Sequence, residues 1–276
     1  MAHSSSASPP IDLELERVFA SVSRIPGLEK RAVASVRAAI DEVLRGPRTG
    51  RYSIHQLTKQ EKAHIGTQIE LALKLEFFDL REGLRLDTTI EGIEVDIKNT
   101  IGTNWMIPRE AVGELCLLLR IDEDHRCFSI GILRTSEDIL GRPNQDAKRN
   151  ISAAGITRIR WTIRDSMLPV SIFLRMQPEL RDEIWSQGSN LPEDRRGQAR
   201  ITHLFRRIQR EIVLRSDIAT LAQQDDPMKR ARDARKALGR EGLLVLSGRY
   251  QGKEAQRRGY TLRADEWICL PATEHG

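Results

Sequence analysis

The sequence predicts an α/β or α+β protein in which helices flank a mixed sheet, followed by a second, smaller domain rich in helices. Helical periodicity dominates residues 12–77, and apolar strand-like runs follow at 114–121 and 127–134. From Arg195 onward the chain has 18 Lys/Arg against 10 Asp/Glu, whereas the rest has 26 against 29. A basic final third on a mildly acidic body indicates a nucleic-acid-binding module or, alternatively, a solvated basic face.

The composition narrows the class of protein. Of 276 residues 39% are hydrophobic and 30% are charged, which is typical of a soluble globular protein rather than a disordered one. No apolar run is long enough to cross a bilayer, and the N-terminus lacks a hydrophobic signal core. The three cysteines lack metal-type spacing, so we expect buried free thiols in a reducing cytoplasm.

The N-terminal part of the chain is predicted to be helical. Residues 12–45 form two helices with a break at Pro26-Gly27, and 46–53 form a basic loop punctuated by glycine. A further helix runs from about Lys59 to Phe77, because apolar side chains recur at helical spacing. These are Ile65, Ile69 and Leu73.

The predicted sheet follows this helix. The segment 93–98 alternates polar and apolar residues as a half-buried strand does, and residues 99–108 read as a loop. The apolar runs at 114–121 and 127–134 read as central strands joined by a polar turn. Residues 142–152 form a basic polar connection, and 170–176 form a strand or a short buried segment.

After residue 198 the sequence predicts a winged helix-turn-helix. An amphipathic helix at 199–214 precedes a short helix capped by Ser216 and a basic helix that begins at Asp226-Pro227 and stops at Gly239. Two strand-like runs then surround the basic loop 251–258, which we interpret as a wing. The predicted divisions are a tail at 1–11, a first domain at 12–184, a linker at 185–198 and the winged-helix domain at 199–276.

The stretch from Asp87 to Lys98 contains the strongest chemical signal. Asp96 and Lys98 share one strand face, and Asp87 lies nine residues before Asp96. Carboxylates are natural ligands for Mg²⁺, and a nearby lysine can position water or balance phosphate charge. An ordinary surface Asp/Lys pair is the alternative. Glu70 lies at the edge of the buried face of its helix, so it can point toward the same site.

A glutamate on a helix, then an aspartate, then Asp-X-Lys after a hydrophobic run resembles the PD-(D/E)XK nuclease core. The wider sequence resembles the NaeI restriction endonuclease family from about Leu13 to Gly242. The stretches that carry it are RTGRYSIHQLTKQEKAHIGTQIELALKLEF, IEGIEVDIK, NWMIPREAVGELCLL, NQDAKRN, GQARITHLFRRIQ and IATLAQQDDPMKR. Two departures stand out: Leu86 takes the place of the motif's proline, and the chain matches less well after about Gly248.

This resemblance implies a cytoplasmic bacterial type IIE restriction endonuclease with a restriction-endonuclease-like fold. It implies a homodimer that binds double-stranded DNA at two sites, cuts with Mg²⁺ in the first domain and is activated by a second recognition site bound in the second. The implied catalytic residues are Glu70, Asp87, Asp96 and Lys98, with the three carboxylates as metal ligands. The resemblance also points to a GC-rich palindrome as the recognition sequence.

Candidate DNA contacts come from basic and polar clusters. On the predicted recognition helix they are Lys229, Arg230, Arg232, Arg235, Lys236 and Arg240, and in the wing Arg257 and Arg258. In the first domain they are Arg48, Arg51, Asn99, Thr103, Asn104, Asn144, Gln145, Lys148 and Arg149. Turn chemistry and solvated surface charge are the alternatives. Two other functions stay open: a catalytically silent DNA-binding protein, and a nicking or modification-dependent nuclease.

Overall fold

The computed structural model describes residues 11–273, so all of the predicted tail except Ile11 lies outside the described residues. The helices are α1 (Leu13–Ser23), α2 (Leu28–Leu44), α3 (Gly46–Thr49), α4 (Lys59–Phe77), α5 (Ala153–Thr157), α6 (Pro178–Ser186), α7 (Glu193–Arg207), α8 (Arg215–Ala222), α9 (Pro227–Gly239) and α10 (Gly248–Arg257). The strands are β1 (Thr88–Ile90), β2 (Ile93–Thr100), β3 (Met106–Ile107), β4 (Leu115–Asp122), β5 (Cys127–Arg134), β6 (Leu140–Pro143), β7 (Arg149–Ile151), β8 (Arg160–Met167), β9 (Val213–Leu214), β10 (Leu243–Ser247) and β11 (Glu266–Pro271). Within 11–273, no helix has the length and apolar character of a membrane span.

The chain divides into two compact units. The first holds the described residues up to Ala39 together with Lys62–Pro169, and the second holds Ile40–Glu61 and the described residues from Val170 onward. The core of the second unit includes Phe173 and Ile184, which pack in one cluster with the helices that follow. The predicted domain limits at 12–184 and 199–276 stay a prediction, and a cut between them would open this core.

The first unit contains a five-stranded sheet in the order β1-β2-β4-β5-β8. The pair β2–β4 is parallel and the other neighbours are antiparallel, which confirms the mixed sheet predicted from the sequence. Strands β4 and β5 are almost wholly buried, which explains their continuous apolar runs. A second sheet, in the order β3-β7-β6, uses residues that the sequence assigned to a loop and to a polar connection.

The second unit packs α7, α8 and α9 around one core and adds an antiparallel sheet in the order β10-β11-β9. The amphipathic helix predicted at 199–214 ends at Arg207, because Arg210 adopts a positive φ and β9 pairs with β11. The predicted wing loop at 251–258 is wrong, because 251–257 belong to α10 and Arg258 is its C-cap. Glu254 pairs there with Arg257 and Arg258 at helical spacing, which favours a helix.

Three further assignments differ from the sequence prediction. The predicted linker is shorter, since α7 begins at Glu193 with two acidic residues in its first turn, where they favour a helix start. The basic loop at 46–53 contains the short helix α3. Residues 170–176 contain a 3-10 turn, Ile172–Leu174, of which Ile172 and Phe173 are buried. The segment is therefore the short buried segment and not the strand.

Candidate active site

Strand β2 sets Asp96 and Lys98 on one face of the five-stranded sheet. Val95 and Ile97 are buried on the other face, and Asp96 and Lys98 alternate with them. The side chain of Asp96 is only 4% exposed, whereas that of Lys98 is 24% exposed. The strand therefore holds the carboxylate in the interior and leaves the ammonium group at the entrance to the site.

Asp87 reaches the same place from the residue before β1. One of its oxygens, Oδ2, accepts a hydrogen bond of 2.7 Å from the backbone N–H of Ile97 and lies 3.4 Å from Lys98 Nζ. Lys98 Nζ also lies 2.7 Å from Asp96 Oδ2 and 3.3 Å from the carbonyl oxygen of Ile97. The carboxylates of Asp87 and Asp96, which the sequence singled out, thus meet at the ammonium group of Lys98.

Glu70 approaches from α4. At Gly66, one turn earlier, an added Cβ would lie 2.5 Å from the Asn99 side-chain amide, so glycine permits the helix to pack closely against β2. Burial raises the pKa of Glu70, and the negative charge of Asp87 raises it further, while Lys74 and Lys98 act in the opposite direction. The charged groups of this site therefore influence the pKa of Glu70.

The surroundings raise the pKa values of both Asp96 and Lys98, but for different reasons. Burial raises the pKa of Asp96 to about 6, although the hydrogen bond from Lys98 opposes this rise. Burial would lower the pKa of Lys98, but its hydrogen bond with Asp96 and the nearby carboxylate charges outweigh burial and raise it. At neutral pH the lysine is therefore a fixed cation, suited to stabilising negative charge rather than to accepting a proton.

The donor set fits a hard divalent cation. Across residues 11–273 no three His, Cys, Asp or Glu side chains form a ready-made metal cluster. Mg²⁺ does not need one, because it keeps several waters and usually takes one or two carboxylates. Two carboxylate oxygens and a carbonyl oxygen already converge here on a cationic group, Lys98 Nζ. The metal-ligand roles of Asp87, Asp96 and Glu70 stay predictions.

The predicted DNA contacts that follow β2 have different environments. Asn99 packs against Gly66, as described above. Thr103 is exposed in the bend after the strand. Asn104 donates to the carbonyl oxygen of Ile151 and accepts from its N–H at 2.7 and 3.0 Å, so its amide joins two chain segments.

The hairpin β6–β7 carries the next group of predicted contacts. Asn144 accepts hydrogen bonds from two backbone N–H groups, including that of Lys148, and so shapes the turn. Arg149 donates to the Gly141 carbonyl oxygen and pairs with Glu137. Gln145 and Lys148 are exposed at the tip. Of the four predicted residues, these two have side chains directed to solvent.

Helix α9 has a basic outer face. Its buried positions are Met228, Ala231, Ala234 and Leu238. Four of the predicted DNA contacts in this region are exposed: Lys229, Arg232, Lys236 and Arg240. We call these four residues the α9 stripe. Their spacing places them along one side of the helix and its C-cap.

Four other predicted DNA contacts make bonds within the protein, and Arg232 of the stripe pairs with Asp226 at 3.3 Å. Arg235 donates to Val245 O at 2.6 Å and lies over the Trp267 ring, so it holds α9 to the sheet. Arg51 pairs with Glu61 at 2.6 Å. Arg257 and Arg258 both pair with Glu254 on α10.

One cavity of about 770 Å³ in the second unit brings together two predicted contacts, Arg48 and Arg230. Glu193, Asp194 and Asp225 also line it, so its charge is mixed. The sequence placed Arg48 in the nuclease domain, but its segment lies in the second unit.

Two groups near the site were missed from the sequence. The Cys116 thiol is buried, and its Sγ lies 3.9 Å from Asp96 Oδ2. Lys74 is almost buried, and its Nζ lies 3.9 Å from Glu70 Oε1. Their positions follow from strand register and from helix packing, so only the spacing of four between Glu70 and Lys74 offered a signal in the sequence.

The mixed five-stranded sheet and its flanking helices are those of a restriction-endonuclease-like fold. The family model described as restriction endonuclease NaeI matches residues 17–264. A relative from Lentzea aerocolonigenes, named Type II restriction enzyme NaeI, is 35% identical over 240 residues, which span 85% of this chain and 75% of that protein. The chain belongs to the NaeI restriction endonuclease family and is a site-specific deoxyribonuclease.

Proposed function

We propose that this protein is a Mg²⁺-dependent type IIE restriction endonuclease of the bacterial cytoplasm. In this proposal a homodimer cuts both strands of a DNA site and is activated by a second copy of that site. The observation that carries the proposal is the contact of Lys98 Nζ with both Asp87 and Asp96 at the edge of a buried strand. This arrangement suits hydrolysis of a phosphodiester.

The carboxylates of Asp87 and Asp96 would hold Mg²⁺, with Glu70 beside them. When bound, the ion supplies Lewis-acid stabilisation of phosphoryl charge and favours ionisation of water. Asp96 must be ionised for this, and its pKa of about 6 makes it so at neutral pH. The carboxylates thus create a negative pocket that attracts a cation to the scissile phosphate.

Lys98 has a separate role in the proposal. Its ammonium group is held by two carboxylates and stays protonated, because its pKa is raised. It can donate a hydrogen bond to a non-bridging phosphate oxygen, where negative charge increases during attack by water. Fixing the ammonium group in advance lowers the reorganisation needed in the transition state.

The second unit is proposed to bind the activating DNA site. Helices α8 and α9 would form the helix-turn-helix within a winged-helix domain at 199–276, and the α9 stripe would face the major groove and the phosphates. The nuclease domain would then correspond to 12–184, and the linker would end before α7 begins at Glu193. Gln145 and Lys148 in the β6–β7 hairpin are the best-exposed candidates for contacts at the cleaved site.

The test is incubation of the protein with Mg²⁺ and plasmids, methylated and unmethylated, with or without an added duplex that carries the site. Double-strand cuts at a defined site, stimulated by the second duplex, support the proposal. Specific binding without cutting indicates a silent DNA-binding protein. Nicks or methyl-dependent cuts indicate the third alternative. Loss of cutting with retained binding in Asp96→Ala would assign the activity to this site.

A further inference from the structure

The loop that delivers Asp87 to the site has little regular structure of its own. Residues 78–87 connect α4 to β1, and Asp79 and Leu80 adopt positive φ angles. Irregular loops are mobile unless side chains hold them. Yet Asp87 Oδ2 lies within hydrogen-bond distance of the Ile97 N–H. Something must fix the approach of this loop to β2.

Glu94 on β2 makes that connection. Its carboxylate accepts hydrogen bonds from three consecutive backbone N–H groups of the loop. They come from Leu84 at 2.8 Å, Arg85 at 3.0 Å and Leu86 at 2.9 Å. We call this set of contacts the Glu94 clamp. It binds the residue directly before Asp87 to the strand that carries Asp96 and Lys98.

Gly83 makes room for the clamp. A Cβ built on this glycine would lie 2.9 Å from Glu94 Oε2 and 2.5 Å from the carbonyl oxygen of Leu86. A larger residue would therefore displace either the carboxylate or the loop. Hydrogen bonds from backbone N–H groups to a carboxylate are stronger than those to a neutral acceptor, so three of them hold the loop firmly.

A second connection joins the same loop to α4. Glu82 Oε2 lies 2.7 Å from the Nζ of Lys74, whose side chain is only 7% exposed. Lys74 also faces Glu70 on the same helix. The loop is thus joined to β2 by one carboxylate and to α4 by another. These are the two elements that carry the other predicted catalytic groups.

We propose that Glu94 is a positioning residue for cleavage, because its clamp on the amides of residues 84–86 fixes Asp87 against Asp96 and Lys98. The proposal rests on the proposed nuclease function. Glu94 acts through the backbone and needs no contact with DNA. Orienting groups of this kind change activity by about 10- to 100-fold when they are removed.

The test compares Glu94→Gln with the wild-type dimer in single-turnover cleavage and in hydrogen exchange of the loop amides. Glutamine has nearly the same shape, but its NH₂ group cannot accept a backbone N–H, so the clamp loses acceptors. We expect cleavage to slow by about 10- to 100-fold, with specific DNA binding retained in EDTA. The amides of 84–86 and of Ile97 should exchange faster.

Two matched variants sharpen the test. Gly83→Ala should slow cleavage and speed amide exchange as Glu94→Gln does, but without changing the net charge of the protein. Glu114→Gln removes a carboxylate whose Oε1 lies 3.0 Å from Arg85 Nη2, but it leaves the amide bonds intact, so it should cleave at the wild-type rate.

The positioning role would be overturned if Glu94→Gln cleaved at the wild-type rate although its loop amides exchanged faster. An equal loss of cleavage rate in Glu94→Gln and Glu114→Gln would overturn it too. A wild-type protein that does not cleave would instead contradict the proposed nuclease function, and with it any catalytic role for the clamp.

Discussion

Asp96→Asn is expected to abolish cleavage and to make the folded protein more stable at neutral pH. The Asp96 side chain is almost completely buried, and the chemistry requires its ionised form. Burial of this charge has a cost that the contact with Lys98 does not fully offset, since the pKa is raised to about 6. Asparagine has the shape of the protonated acid and cannot ionise.

The size of the gain in folding stability follows from the pKa of Asp96. In the unfolded chain Asp96 loses its proton near its ordinary value of 3.8, whereas in the folded protein it does so near 6. Stability therefore falls as pH rises through this window, and the full cost applies above it. At about 1.4 kcal/mol for each tenfold change in proton affinity, the cost at pH 8 is on the order of 3 kcal/mol. The variant should gain this amount at pH 8 and nothing below about pH 4.

Urea unfolding of both proteins in EDTA, at several pH values, measures this difference. Carboxylates outside this site titrate equally in both proteins, so the difference in stability reports on Asp96 and the groups in contact with it. Single-turnover cleavage provides the second readout. Equal stability of the variant and the wild type at pH 8 would refute the cost assigned to the buried charge, and DNA cutting by the variant would refute the catalytic role of Asp96.

Three other changes test other parts of the structure. Gly66→Ala puts a Cβ 2.5 Å from the Asn99 amide, so we expect α4 to shift, with slower cleavage and a loss of about 1–3 kcal/mol in urea unfolding. Replacing Arg232 and Lys236 together by alanine should weaken DNA binding across sequences and reduce the slope of log K against log salt by about 2, as measured in binding titrations at several salt concentrations. Asp217→Ala leaves two backbone N–H donors without their acceptor, so thermal unfolding should show a loss of about 3 kcal/mol.

Control variants and opposite outcomes separate these three effects from general damage to the protein. For the α9 stripe, Ala at the exposed Arg24 and Lys30 of the first unit removes the same charge and should leave the salt slope unchanged. An unaltered cleavage rate in Gly66→Ala would show that the helix does not need its close approach. Unchanged unfolding in Asp217→Ala would show that water replaces the carboxylate.

The sequence was sufficient for the three central strands β2, β4 and β5 and for the shared face of Asp96 and Lys98, because both depend on short spacings. Alternation placed Asp96 and Lys98 on one face, and continuous apolar runs marked β4 and β5 as central. The limits of α9 were also visible, since Asp226-Pro227 marks its start and Gly239 its end.

What the sequence did not show depends on contacts between distant residues. Arg235 looked like its basic neighbours, and only the position of Val245 and Trp267 shows that it bonds inward. The amides that bind Glu94 have no side-chain signature at all. Helix α10 was read as a loop because glycines flank a basic run, whereas packing of Ala255 supports a helix.

Asp87 and Asp96 are proposed to converge and to hold a divalent ion beside Lys98 at the phosphate to be cut. Crystals grown with a cognate duplex and Mn²⁺, measured for anomalous scattering at the manganese edge, test this claim directly. We predict a peak between the two carboxylates and next to a phosphate oxygen. A fully bound duplex with no manganese at these carboxylates would contradict the account.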